Sequence, residues 1–174
     1  MEVQLKRVTN NPVNVKILQK IIHQTFINTY QKDTAKSELQ TYLDREYNVS
    51  QIQKQLDDPN CQFYVCIVDR QVAGYMKLNL GNKQTEAFPT ASVEVEKLYI
   101  YPEFKRLGLG TKFLKKAERV AKQAEAKMLW IGVWEENEKA IKFYRKLGFK
   151  YLKTHEFRLG SEIQRDLILA KRIQ

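Results

Sequence analysis

Metal and disulfide chemistry have little to work with in this chain. Its 174 residues include two cysteines and two histidines. His23 and His155 are not spaced with the cysteines as zinc ligands would be, so no metal site is expected. Cys61 and Cys66 fall in or beside one strand, on opposite faces and ~17 Å apart at ~3.3 Å per residue. That is too far for a bridge, and both read as small packing residues. Long apolar runs are missing as well. None approaches the roughly 20 residues of a membrane-spanning helix, and Met1–Lys6 lacks the apolar core of a signal peptide. A cytoplasmic protein with no membrane partner is the expectation. Acidic residues are in deficit, 20 against 30 lysines and arginines, for a net charge of +10. Net charge alone is a poor witness for nucleic-acid binding. No motif of that kind is visible, so nucleic acid is not expected as a partner.

What is present suits one globular domain covering residues 1–174, long enough to bury a sizeable core. A strand is expected over Val3–Val8, then a turn at Asn10-Asn11-Pro12. Val15, Leu18, Ile22 and Phe26 follow at helical spacing. The polar stretch Thr29–Tyr47 suggests a short helix around Ser37–Leu43, and Ser50 is placed to cap another that runs to Leu56. Strands over Gln62–Val68 and Val72–Leu80 form a hairpin around Asp69-Arg70-Gln71, and residues 81–90 read as a loop. In the next strand, Ala91–Ile100, Val93 and Val95 alternate with Glu94 and Glu96. After Lys97 the apolar phase moves to Leu98 and Ile100. A slip of one position is what a β-bulge produces; burial on both faces would give the same pattern. A helix from Gly108 to about Ala126 turns Phe113, Leu114, Ala117, Val120, Ala121 and Ala124 inward. Met128–Trp134, free of polar side chains, suits a central parallel strand covered on both faces. A helix over Asn137–Leu147 stops at Gly148, and strands over Tyr151–Leu159 and Gln164–Lys171 close the chain. The fold class is α/β or mixed α+β.

Lys105-Arg106-Leu107-Gly108-Leu109-Gly110-Thr111 stands between a strand and an amphipathic helix. Two glycines one residue apart let the backbone turn tightly and approach a ligand. The helix behind them presents unpaired N–H groups and the positive end of its dipole, which is an anion site suited to a pyrophosphate. The same helix carries Lys112, Lys115, Lys116, Arg119 and Lys122 against Glu118 and Glu125. These form a solvated face or a positive rim around a polyanion.

With these elements placed, the chain resembles the GNAT superfamily of N-acetyltransferases. That family's phosphate motif, Gln/Arg-x-x-Gly-x-Gly/Ala, is matched by residues 105–110 with Lys105 as a departure. Its late signature, Asn-x-x-Ala-x-x-Phe-Tyr-x-x-x-Gly-Phe, is matched by Asn137, Ala140, Phe143, Tyr144, Gly148 and Phe149. Leu129–Glu135 with Asn137, Val95–Ile100 and Asp166–Lys171 look like the bacterial PaiA-type spermidine/spermine acetyltransferases. The resemblance implies a single domain with a twisted mixed sheet of about seven strands flanked by helices, its bulged fourth strand splayed from the fifth. It implies acetyl-CoA as cosubstrate and no metal. Leu98, Tyr99 and Ile100 would line the pantetheine arm, and residues Lys105, Arg106, Leu107, Gly108, Leu109, Gly110 and Thr111 the pyrophosphate. Asn137, Ala140, Phe143 and Lys146 complete the implied cofactor set. Many such enzymes form dimers, so a homodimer is compatible with it.

The chemistry implied is direct transfer of an acetyl group to a primary amine, a polyamine such as spermidine or spermine. A protein N-terminus or lysine is the alternative acceptor, and a non-catalytic CoA-binding regulator the second alternative. An alkyl amine with pKa near ~10.4 costs roughly 4–5 kcal/mol to neutralise at pH 7. Glu96, late in its strand, is the first choice of base through water, Glu94 the second. Tyr144 is the expected acid towards the leaving thiolate, and an N–H near Leu98 or Tyr99 the oxyanion donor. A polycation calls for acidic groups in a basic protein. Glu94, Glu96, Glu135, Glu136, Asp33 and Glu38 are the candidates. Trp134, Tyr30 and Tyr99 could wall an amine channel. His23 and His155 read as structural or surface residues.

Overall fold

A computed structural model describes residues 1–159 and 162–174. Twelve elements alternate in a mixed order: β1 (Val3–Arg7), α1 (Pro12–Tyr30), α2 (Lys36–Glu46), α3 (Val49–Asp57), β2 (Cys61–Val68), β3 (Gln71–Leu80), β4 (Ser92–Ile100), α4 (Leu109–Gln123), β5 (Met128–Trp134), α5 (Glu138–Lys146), β6 (Lys150–Leu159) and β7 (Glu162–Arg172). The seven strands form one sheet in the order β1-β2-β3-β4-β5-β7-β6. β4 and β5 run parallel, while β1–β2, β5–β7 and β6–β7 are antiparallel. The chain divides into two compact units, residues 1–77 with 99–107 and residues 78–98 with 108–174.

In the first unit, Asn11 caps α1 by accepting from the Asn14 N–H at 2.9 Å, with Pro12 as the first helical residue. Pro at that position loses no hydrogen bond the helix would make. Val15, Leu18, Ile21 and Ile22 of α1 pack with Ile52, Phe63, Val65 and Tyr75 in a buried cluster. The cap of α3 is Asn48, not Ser50: its side chain accepts from the Gln51 N–H at 2.9 Å. Asparagine is at least as good a cap as serine, and starting at Asn48 satisfies an N–H two positions earlier. Asp69 and Arg70, both at positive φ (45° and 68°), make the tight turn between β2 and β3. A two-residue hairpin needs that left-handed pair to match the strand twist. Cys61 and Cys66 are both buried.

In the second unit, α4 buries Phe113, Leu114, Ala117, Val120 and Ala121. Ala124 is exposed instead, because the helix ends at Gln123 and Glu125 turns left-handed at φ 57°. Gly148, at φ 96°, follows α5 as expected of a terminator. β5 is not covered on both faces along its length: Leu129, Trp130, Ile131 and Val133 are buried, but Gly132 and Trp134 are exposed.

β4 departs from simple alternation in two ways. Glu94 is 3% exposed, as buried as the valines beside it. The phase slip is also present. Glu94 and Glu96 both reach Asn79, whereas Tyr99 packs on the cluster that holds Tyr75. Tyr75 and Asn79 are four apart in β3 and so share a face. On that face β4 therefore changes from even to odd positions between Glu96 and Tyr99, the mark of one extra residue. Gly74 accommodates the displaced backbone: a Cβ there would lie 2.3 Å from the Tyr99 carbonyl oxygen and 3.1 Å from Ile100 Cα. Parallel pairing with β5 stops after Val95↔Ile131, although β4 continues to Ile100 and β5 to Trp134. The two strands part where Glu96 stands.

Candidate active site

The glycine-bearing turn leads directly into α4. Arg106 and Gly108 take left-handed φ angles of 65° and 75°. Lys105, Arg106, Leu107 and Gly108 are exposed, Leu109 and Gly110 buried, and Thr111 half-buried. Gly108 sits at the N-cap of α4 with no side chain capping the helix and no acidic residue in its first turn. The first N–H groups of a 15-residue helix are thus kept from internal acceptors. A Cβ on Gly108 would meet nothing within 4 Å, so the glycine serves the left-handed angle, not space.

The late signature builds α5. Asn137 caps it, its Oδ1 accepting from the Ala140 N–H at 3.2 Å, which leaves the amide Nδ2 to donate elsewhere. Ala140 and Phe143 are half-buried and Lys146 is exposed in the last turn. Tyr144 is 7% exposed. Its ring lies 5.3 Å from Phe143 and 5.8 Å from Phe149, centroid to centroid. Burial pushes its phenol up to about 12, so it holds its proton at every physiological pH.

The carboxylates gather on the face of β4, β5, β7 and β6 that bears Gly132. Asn79, 1% exposed, donates from one amide nitrogen to Glu94 Oε1 at 3.0 Å and to Glu96 Oε2 at 2.9 Å. Glu94 also accepts from the Thr85 N–H at 2.8 Å and from Thr85 Oγ1 at 2.5 Å. Residues 81–91 therefore fold back over the sheet instead of standing away from it. Gln84 Oε1 accepts from Trp130 Nε1 and from Ser92 Oγ, both at 2.8 Å, and Phe88 sets its edge against Trp130 at 5.2 Å. Glu86 pairs with Lys153 at 2.6 Å and with His155 Nδ1.

Beneath this strap lies a cavity of about 230 Å³, whose lining includes Glu86, Glu94, Glu96, Trp130, His155 and Asp166. Burial raises the Asp166 carboxyl above its ordinary range, against the pull of His155 and Lys97. Of the six acidic residues expected for a cationic substrate, Glu94 and Glu96 line the cavity. Glu135 and Glu136 are exposed beyond the tip of β5, and Asp33 and Glu38 are exposed in the other unit. Of the aromatic residues expected to wall a channel, Trp134 is 46% exposed, Tyr99 packs edge-on to Tyr101, and Tyr30 packs on Phe26. Trp130 lines the cavity in their place. His155, read from sequence as structural or surface, is 46% exposed and pairs with Glu86. Glu86 and Asp166 escape sequence reasoning because a loop and a strand distant in the chain bring them to one cavity. Leu98 and Ile100 are half-buried in the parted stretch of β4. Among the described residues no group of His, Cys, Asp and Glu could hold a metal ion, and no helix is long and apolar enough to cross a membrane.

The chain is similar to known proteins in sequence and in fold. The chain is 33% identical over 151 residues to an uncharacterized N-acetyltransferase of Lactobacillus delbrueckii subsp. lactis, covering 87% of each chain. It is 30% identical over 104 residues to an N-alpha-acetyltransferase of Sulfurisphaera tokodaii, covering 57% of this chain and 62% of that one. Its fold superposes on the crystal structure of PaiA N-acetyltransferase from Thermoplasma acidophilum in complex with coenzyme A, with a TM-score of 0.73 over 99% of both chains at 19% identity. The profile of the acetyltransferase (GNAT) family matches residues 23–149. With the glycine turn, the parted parallel strands and the α5 signature in place, the chain belongs to the GNAT family and is an N-acetyltransferase that draws its acetyl group from acetyl-CoA.

Proposed function

We propose that the acceptor is a small primary amine, a polyamine such as spermidine or spermine, bound in the cavity beneath residues 81–91. The observation that carries this reading is the composition of that cavity. A protein with a net charge of +10 directs four carboxylates, Glu86, Glu94, Glu96 and Asp166, into about 230 Å³ beside an indole. Carboxylates with an aromatic wall are what an alkylammonium requires. Lys97 shares the lining and Lys153 pairs with Glu86, so the carboxylates still outnumber the nearby lysines. Lysines more than about a Debye length away, roughly 8–10 Å, cancel little of the remainder. The resemblance to PaiA-type spermidine/spermine acetyltransferases points the same way.

Glu96 is the base in this reading. It stands where β4 leaves β5 and takes the amine proton through water. Glu94 is the positioning residue: buried and held by Asn79 and Thr85, it fixes Asn79 and the strap from which Glu96 is oriented. Tyr144, protonated throughout, donates to the departing thiolate of coenzyme A. The N–H groups at the start of α4 hold the pyrophosphate, an N–H near Leu98 or Tyr99 steadies the oxyanion, and Asn137 Nδ2 donates to the pantetheine.

A second reading, acetylation of a protein N-terminus, is favoured by the likeness to the N-alpha-acetyltransferase of Sulfurisphaera tokodaii. A screen of coenzyme A release with acetyl-CoA and polyamines, diamines, aminoglycosides or peptides separates the two. Turnover of spermidine or spermine is the expected result, and turnover of peptides alone overturns it.

A further inference from the structure

The carboxylates under the strap differ in what holds them. Glu94 is held by neutral donors, an amide, a backbone N–H and a hydroxyl. Glu86 is held on Oε1 by His155 Nδ1 and on Oε2 by an alkylammonium: Lys153 Nζ lies 2.6 Å from Oε2 and 4.9 Å from the centroid of the Phe88 ring. A carboxylate on one side and an aromatic face on the other is the environment that recognises the end of an aliphatic amine. The two partners are unequally seated. The Glu86 side chain is 14% exposed and that of Lys153 48%, so the carboxylate is fixed and the lysine can withdraw into water. Glu86 lines the cavity that also holds Glu96.

We propose that Glu86 and Phe88 form the subsite for a second, distal ammonium of the acceptor, and that Lys153 fills it in cis until such an acceptor arrives. The proposal rests on the amine-acceptor reading above and names its substrate class: diamines and longer polyamines over monoamines. A diamine that displaces Lys153 exchanges one ammonium–carboxylate pair for another and anchors its far end. The exchanged lysine regains hydration. A monoamine occupies the reacting position beside Glu96 and leaves Lys153 where it is.

The test compares 1,4-diaminobutane with n-butylamine as acceptors, in wild type, Lys153→Met and Glu86→Gln, with circular dichroism to verify folding. The quantity read is the ratio of kcat/KM for the diamine to that for the monoamine. Removing the tethered competitor should raise the ratio at least about fivefold, and neutralising the carboxylate should lower it about tenfold. Both substitutions break the same ion pair, so a purely structural pair would move the ratio in one direction or leave it unchanged. Either of those results overturns the subsite while amine acetylation stands. Acetylation of peptides with neither amine turned over overturns the acceptor reading and the subsite together. Should Glu86→Gln fail to fold, the sign of the Lys153→Met effect decides alone.

Discussion

Each unit of this protein holds a cavity, and the larger is the one with less chemistry. The first unit's measures about 710 Å³ and is lined mainly by side chains of α1 and by residues 101–104, among them Lys20, Gln24, Asn28 and Glu103. Gln24 accepts there from the Tyr101 hydroxyl at 2.7 Å. Apart from Lys20 and Glu103 the polar lining is neutral. The second unit's cavity is about a third of that volume, and four carboxylates converge on it. Volume alone reports where packing is loose. A cluster of partly desolvated carboxylates, with Glu94 and Glu96 held by specific donors, reports where a cationic ligand belongs.

The comparison can be broken most severely at Glu96. Glu96→Gln should lower kcat roughly a hundredfold or more, since general bases contribute on that scale. Unchanged turnover across pH would return the second cavity to mere architecture. Tyr144→Phe should lower kcat about tenfold or more, by a factor independent of pH between roughly 6 and 10. A phenol pushed up to about 12 does not titrate in that window. A mutational effect that varied with pH there would remove Tyr144 from the role of acid.

A smaller effect should appear in stability. Asp166 has a folded-state pKa above its ordinary 3.8 because burial disfavours its charge. The sign follows from linkage. Below 3.8 the group is protonated in both states and costs nothing. As pH rises through the folded pKa, ionisation in the folded protein costs stability. Asp166→Asn should therefore unfold at a higher denaturant concentration than wild type at pH 7, and the gap should close as pH falls towards 3.8. A gap that widens with acid would contradict this account. Gln24→Ala in the larger cavity should leave kcat/KM within about twofold, as surface substitutions do.

Local signals were legible in the sequence wherever chemistry is set by neighbours in the chain. Two apolar-rich segments joined at Asp69-Arg70-Gln71 marked β2 and β3, and the 3.6-residue period marked the inward face of α4. The paired glycines marked the start of α4, and Asn137–Phe149 marked α5 and its stop. The slip after Lys97 fitted a bulge and two-face burial equally, and the contacts of β4 distinguish them. Non-local facts were not legible. His155 and Asp166 are brought together by the β6–β7 register, and Glu86, 69 positions before His155, arrives from the strap and pairs with it. Glu94 alternates with valines as a polar-face residue would, and its burial is not legible because its donors, Asn79 and Thr85, lie across a strand pairing and in the strap. Asn48 and Ser50 are both competent caps two residues apart, and only the observed helix start distinguishes them.

The space at Gly74 carries an evolutionary consequence. No side chain, however small, fits between it and the Tyr99 carbonyl while β4 keeps its course, because the obstacle is backbone. Selection at this position therefore acts on an atom that is absent. A library randomised at codon 74 and selected for acetyl transfer should return glycine, and a survivor with any other residue should carry β4 along a different path.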